Sequence, residues 1–249
     1  MNDSLEAFIF YAYDFKESSR MLDAFSLERG RISLVAKGAK RNKSPLLNLS
    51  VPFVHANLQI IEGRTSNYLK EGSIISAHLA LRKSIRKMQT AFFVVEVLSK
   101  SLFENQIEET IFHMLIRFFD LLEDIEEEKI PSLLAAFLLK TVSFLGFRPI
   151  LTRCIQCDRS IMDEALLFDL EAGGMSHPSH GKRNYSYLLN EEEYKKLCNL
   201  ITMSLKEIVD LKTKALDRKL LSMVLNYYRL HTGQYYFKTE EMMKKLSLL

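Results

Sequence analysis

Val54-His55-Ala56-Asn57-Leu58-Gln59-Ile60 alternates apolar and polar residues, with Val54, Ala56, Leu58 and Ile60 on one side and His55, Asn57 and Gln59 on the other. A period of two puts one set of side chains in a core and the other outside it, which is the pattern of a half-buried strand. Upstream, Ile32, Leu34 and Ala36 alternate with Ser33 and Val35 in the same way. Ala7 to Tyr13 and Met21 to Leu27 are short apolar and aromatic segments, and Tyr68 to Ile75 is a weaker fifth candidate. Gly30, Gly38, Gly63 and Gly72 fall at or near the breaks. Short strands separated by Gly-containing turns predict a small closed or sandwiched β domain over residues 1–77.

From His78 onward the period becomes helical. Ala91, Val94, Val95 and Leu98 form one i, i+3, i+4, i+7 set, and Ile111, Leu115, Phe118 and Leu122 mark another helix. Pro131 suits the first turn of a third helix, Ser132 to Leu145, which Gly146 stops. Residues 147–187 are irregular in pattern. Asn190 then precedes three glutamates, an N-cap followed by charges that favour the positive end of a helix dipole, and two or three further helices run to the end. The fold class expected is α+β, with a five-stranded β domain followed by a helical domain at 78–249.

The chain has 249 residues, of which 47% are hydrophobic and 26% charged, the composition of a folded globular protein. Its net charge of +3 is uninformative until it is resolved by position. Residues 1–90 carry 14 basic and 8 acidic side chains, residues 91–130 carry 3 and 10, and the remainder 17 and 13. No acid occurs between Glu28 and Glu62, whereas Arg29, Arg31, Lys37, Lys40, Arg41 and Lys43 fall in the first half of that interval. Lys37 to Pro45 is a loop by its Gly and its pre-proline position. A loop of this kind on a small barrel lays cations along a phosphate backbone, with salt-dependent affinity that is largely independent of sequence. Phe15, Phe25, Phe53 and Tyr68 are candidates for base stacking. The alternative is an ordinary solvated charged face.

Cys154-x-x-Cys157 is followed, after Gly173-Gly174, by His177-x-x-His180. Two closely spaced pairs separated by 19 residues suit tetrahedral Zn²⁺ held by thiolate and imidazole. All four positions would then be filled by protein, which makes such a site structural, with one zinc per chain. The alternative is a metal-free cysteine pair with two exposed loop histidines. No thioredoxin-like βαβ pattern supports a redox role. Cys198, inside a helical apolar pattern, reads as a small core residue.

The sequence holds no G-x-x-x-x-G-K-[ST], G-x-S-x-G, H-E-x-x-H or G-x-G-x-x-G motif. The run Glu123-Asp124-Ile125-Glu126-Glu127-Glu128 has adjacent carboxylates, which read as a solvated connector or docking surface. No catalytic residue is assigned. The N-terminus lacks the basic segment and cleavage site of a signal peptide, and no apolar run approaches the roughly 20 residues of a membrane span. A cytoplasmic location without membrane partners is expected.

Four stretches in order resemble the bacterial RecO family of recombination mediators: Asp14-Phe15-Lys16-Glu17-Ser18-Ser19-Arg20 leading to Gly30-Arg31-Ile32; Val35-Ala36-Lys37-Gly38-Ala39-Lys40-Arg41 ending in Lys43-Ser44; Leu145-Gly146-Phe147-Arg148-Pro149 before Cys154-x-x-Cys157; and Gly173-Gly174. The resemblance implies an N-terminal OB-fold, a helical C-terminal domain and an inserted zinc module, at 148–187 here. It implies binding to single- and double-stranded DNA, strand annealing, and action with RecR and the C-terminal tail of single-strand-binding protein in loading RecA, without enzymatic chemistry and in association with the nucleoid. The family's basic DNA-binding segment falls on Lys37, Lys40, Arg41 and Lys43, and its zinc ligands on Cys154, Cys157, His177 and His180. The family generally has Cys-x-x-Cys where this chain has His177-Pro178-Ser179-His180. Two other classes stay open: a protein adaptor that does not bind DNA, and a metal-dependent nuclease using the acidic run.

Overall fold

Backbone hydrogen bonding joins the first five strands, β1 (Asn2–Phe15), β2 (Ser19–Ser26), β3 (Gly30–Ala36), β4 (His55–Glu62) and β5 (Asn67–Ser76), into a closed barrel of order β1-β2-β3-β5-β4. The structure is a computed structural model that describes residues 2–161, 166–180, 185–211 and 218–249. Closure is made by β3 and β5, which run parallel and pair only at Leu34 with Asn67 and Val35 with Tyr68. All other neighbouring strands are antiparallel. This is an OB-like five-stranded barrel.

The alternating residues fill it. Ile32, Leu34 and Ala36 from β3 and Ala56, Leu58 and Ile60 from β4 meet Leu5, Ala7, Ile9, Leu22, Ala24 and Leu69 in one apolar core, which Val54 also joins. The outward positions of β1 and β2 are apolar as well. Phe8, Phe10 and Phe25 point away from the barrel axis yet are fully buried, because α1 (Ile85–Ser101) and α2 (Glu109–Asp124) cover them. Phe8 lies 4.5 Å from Phe119 between ring centroids, Phe25 lies 5.6 Å from Phe112, and Phe53 lies 4.7 Å from Phe92.

The strand-to-helix change falls between Ser76 and Leu79, but the division into compact units falls elsewhere, at Glu123/Asp124. The first compact unit thus holds the barrel together with the segment from residue 78 to Glu123. The first two helices group with the barrel, where Phe119 and Phe112 of α2 pack on the aromatic face of β1 and β2.

The second unit is built on α3 (Ile130–Phe144), which has Pro131 in its first turn and is buried on every side from Leu133 to Leu139. Gly146, with φ of 99°, ends it: the amide of Phe147 reaches the Val142 carbonyl at 3.0 Å. α4 (Glu191–Thr202), α5 (Leu205–Asp210) and α6 (Arg218–Thr232) pack on α3, and α7 (Glu240–Lys245) follows. Asn190 caps α4 in a full capping box with Glu193. The stretch read as irregular holds an antiparallel sheet of order β7-β6-β8, made of β6 (Leu166–Asp169), β7 (Gly174–Ser176) and β8 (Ser186–Leu189). Strands of three or four residues are too short to show a period. No helix among the described residues is long and apolar enough to cross a membrane.

Candidate metal centre and nucleic-acid interface

The two ligand pairs are brought together by the approach of β7 to the segment before it. Ile150 and Gly173 to Met175 exchange backbone hydrogen bonds of 2.8–3.0 Å, and Ile155 donates to the Met175 carbonyl at 2.9 Å. This close contact requires Gly174, where a Cβ would come within 2.4 Å of the Ile150 carbonyl oxygen. Each pair then occupies one tight turn: Asp158 donates to the Cys154 carbonyl at 2.9 Å, and His180 to the His177 carbonyl at 2.9 Å.

One ligand atom from each of Cys154, Cys157, His177 and His180 lies within 4.8 Å of the other three, so the cluster could hold a metal ion. Cys154 Sγ stands 3.6 Å from His180 Nδ1, and Cys157 Sγ stands 3.4 Å from His177 Nδ1. A tetrahedral ion with metal–sulfur bonds of about 2.3 Å and metal–nitrogen bonds of about 2.0–2.1 Å has a sulfur–nitrogen edge of about 3.5 Å. These two sulfur–nitrogen separations match that edge. His177 Nε2 lies 3.2 Å from the Ser160 carbonyl oxygen, an acceptor that fixes the proton on Nε2 and leaves the Nδ1 lone pair facing the cluster. Burial pushes the Cys154 thiol up, but His180 and the amides of His177, Gln156 and Cys157 outweigh it and bring the thiol down to about 6. Cys154 is thus poised as the thiolate that a metal requires. Among the described residues this is the only such grouping of metal-competent side chains.

The acidic run does not converge on one point. Glu123 instead accepts the amide of Ala80 at 2.8 Å, and residues 127–129 form a short 3-10 turn. Cys198 is half-buried next to Tyr194, and burial raises its thiol.

In the barrel, β3 runs into the loop before β4, and three buried side chains, Ala39, Leu46 and Leu49, pin that loop to the core. Lys40 donates its amide to the Ser18 carbonyl at 3.0 Å, and a chain of turn hydrogen bonds runs from Gly38 to Ser50. Lys37, just before Ala39, and Arg41 and Lys43, between Ala39 and Leu46, have exposed side chains. Lys40 pairs with Asp14 at 2.8 Å. The Lys37 ammonium sits 4.0 Å from the centroid of the Tyr68 ring. Among the described residues neither Arg41 nor Lys43 has an acidic partner.

Arg29 and Arg31 are placed apart from this loop. Arg29 bridges Asp3 and Glu62, the latter at 2.7 Å. Arg31 makes a two-pronged contact with Asp23, at 2.7 and 3.0 Å, and donates to the Ser99 carbonyl. The acid-free interval is acid-free only along the chain. Of the four aromatic candidates, Phe25 and Phe53 are buried among the helices, while Phe15 and Tyr68 keep partial exposure. Tyr13, not anticipated from sequence, is 55% exposed on β1 and stacks near Tyr11.

Comparison with known proteins accounts for most of the chain. Residues 1–78 match the family model described as recombination protein O N terminal, and residues 82–241 match recombination protein O C terminal. The chain is 27% identical over 242 residues to DNA repair protein RecO of Alkaliphilus metalliredigens, covering 97% of this chain and 98% of that protein. It is 26% identical over 248 residues to DNA repair protein RecO of Bacillus cereus, covering 99% and 98%. With DNA repair protein RecO of Thermoanaerobacter sp. it shares 32% over 143 residues, 57% of each chain.

Proposed function

The chain belongs to the recombination protein O family, and from that premise we propose that it is a DNA-binding recombination mediator that anneals complementary strands and, with RecR, assists RecA loading on DNA coated by single-strand-binding protein. The observation that carries this reading is the pinned cationic loop. Lys37, Lys40, Arg41 and Lys43 stand on a segment whose backbone is held by Ala39, Leu46 and Leu49, so little ordering is left to be done when a phosphate backbone arrives. Annealing needs no covalent chemistry: cations lower the repulsion between two strands and base pairing drives the reaction. Arg29 and Arg31 have their charge answered within the barrel, and we assign them to its stability rather than to DNA.

We assign the ion at Cys154, Cys157, His177 and His180 as one structural Zn²⁺. Two thiolates and two imidazoles complete a tetrahedron and leave no position for substrate. Single- and double-stranded DNA, RecR and the tail of single-strand-binding protein are the partners of this reading, in a cytoplasmic, nucleoid-associated setting. The test is a strand-annealing assay on complementary oligonucleotides, bare and coated with single-strand-binding protein. Acceleration in both is expected, and no acceleration in either would refute the reading. The compensated charges of Arg29 and Arg31 favour a second reading, a protein adaptor that leaves DNA alone. Absence of DNA retention in filter binding at low salt would select it.

A further inference from the structure

Two neighbours of Tyr68, Val35 and Gly63, line a cleft. Where β3 and β5 meet at only two residue pairs, the outer face of the barrel opens into a hollow of about 440 Å³, walled on one side by the β4–β5 turn and on the other by Glu104 and Asn105. That volume falls in the range of small-molecule sites, about 300–1,000 Å³. Gly63 lines the hollow and also touches the Tyr68 ring, with a Cβ there coming within 2.8 Å of Cε2. Val35, which lines it too, pairs with Tyr68 across the seam. The ring therefore lies beside the wall of the cleft, with the Lys37 ammonium over it.

We propose that Tyr68 is the residue by which this protein distinguishes an unpaired nucleobase from a duplex, with Lys37 as its removable cover. The inference rests on the DNA-binding reading above. A phosphate offers Lys37 a full negative charge in place of the ring's weaker attraction. When Lys37 transfers to it, the ring is uncovered for the base attached to that phosphate. The cleft receives the base and not the phosphate, because Glu104 lines it and the one cation inside it, Arg31, is already matched by Asp23. Ser33, Thr65 and Asn67 also line it, and hydroxyl and amide groups bond the edge of any base, which suits recognition without sequence preference. A duplex keeps its bases stacked and offers only phosphates, to which Lys37 and the loop respond alone.

The test compares affinities for a thymidine oligomer and for a duplex of the same length. Tyr68→Ala is expected to weaken the single strand roughly tenfold, the scale of one lost base–aromatic stack, with the duplex unchanged and Tyr68→Phe restoring the single strand. Equal losses on both substrates, or none on either, overturn the proposal. If Tyr68→Ala does not fold, photo-crosslinking of the wild-type protein to a 5-iododeoxyuridine single strand decides: adduct at Tyr68 is expected, and adducts confined to the loop overturn it. Loss of binding in a Lys37, Arg41 and Lys43 triple alanine variant, with Tyr68→Ala neutral, removes the base site and leaves the DNA-binding reading standing. Neutrality of both variants removes the two together.

Discussion

Replacing Lys37, Arg41 and Lys43 together by Ala removes cations without touching the residues that anchor their loop, and the salt dependence of DNA binding reports how many of them meet phosphate. Of the six basic residues between 29 and 43, Arg29 and Arg31 already face Asp3, Glu62 and Asp23, which leaves four for the nucleic acid. Lys40 counts among the four because its partner Asp14 is 68% exposed, and such pairs contribute little and exchange readily. Each phosphate neutralised on a single strand adds about −0.7 to the slope of log K against log salt, so this patch supplies a slope of about −2.8. Between about 50 and 200 mM salt that slope costs roughly 50-fold in affinity, and the triple variant, with about −0.7 left, loses roughly threefold. Fluorescence anisotropy of a labelled oligonucleotide across a salt series measures both. Arg29→Ala is the control: its slope should equal that of the unaltered protein, since the side chain it removes was bound to carboxylates. A slope unchanged in the triple variant, or flattened by about 0.7 in Arg29→Ala, would refute the division of the six residues into four and two.

Three further outcomes follow from the geometry. Elemental analysis should find about one zinc per chain, abolished in a His177→Ala/His180→Ala variant; at a thousandfold excess over Kd the ion stabilises by about 4 kcal/mol, so chelation should lower the melting temperature by roughly 8–16 °C. Gly30→Ala should cost about 3 kcal/mol or more by urea denaturation, because Gly30 has φ of 65° and a Cβ would lie 1.9 Å from the Gln106 carbonyl oxygen; an unshifted midpoint would contradict the contact. Burial pushes the Glu240 carboxyl up, but Arg229 and Lys244 hold it below the usual range overall, so its contribution is present above about pH 4.3 and fades as pH falls through the depressed value. Glu240→Gln should therefore destabilise the protein at pH 7 and converge with the unaltered chain in strong acid, as followed by circular dichroism.

The barrel strands and long helices are legible in the sequence because each has a single buried face at a regular period. β4 writes its alternation as Val54, Ala56, Leu58 and Ile60, and α2 writes its stripe as Ile111, Leu115, Phe118 and Leu122, each with all of these residues buried. β1 is harder to read. It is apolar on both faces, with Ala7 and Ile9 inside the barrel and Phe8 and Phe10 outside it, and nothing local says that the second face awaits two helices from residues 85–124. That face groups the two helices with the barrel in a compact unit that runs to Glu123. The Cys154, Cys157, His177 and His180 cluster, which could hold a metal, was legible for the opposite reason: its four side chains sit in two local turns, and the one distant requirement, the approach of β7, is marked by Gly174.

Charge is where reading along the chain fails, and the failure has a physical form. Coulombic compensation depends on distance in space, and in a barrel each strand's neighbours come from elsewhere in the sequence. Asp3, near the start of β1, runs antiparallel to the end of β4, which sets Asp3 and Glu62 at the same end of the barrel, where the β2–β3 turn delivers Arg29. β2 pairs with β3 in a register that places Asp23 opposite Ser33 and within reach of Arg31, two residues away on the same face. These acids lie outside the interval from Glu28 to Glu62 or at its edge, and topology brings them to its first two arginines. The loop escapes because it leaves the sheet. Strand pairing of β3 with β2 ends at Ala36; among the described residues Asp14 is the one acid that pairs with the loop, at Lys40, and the cations from Lys37 to Lys43 keep the field that the two arginines lose. The position of a basic residue relative to the sheet, more than the number of basic residues, therefore decides which of them remain available to a phosphate.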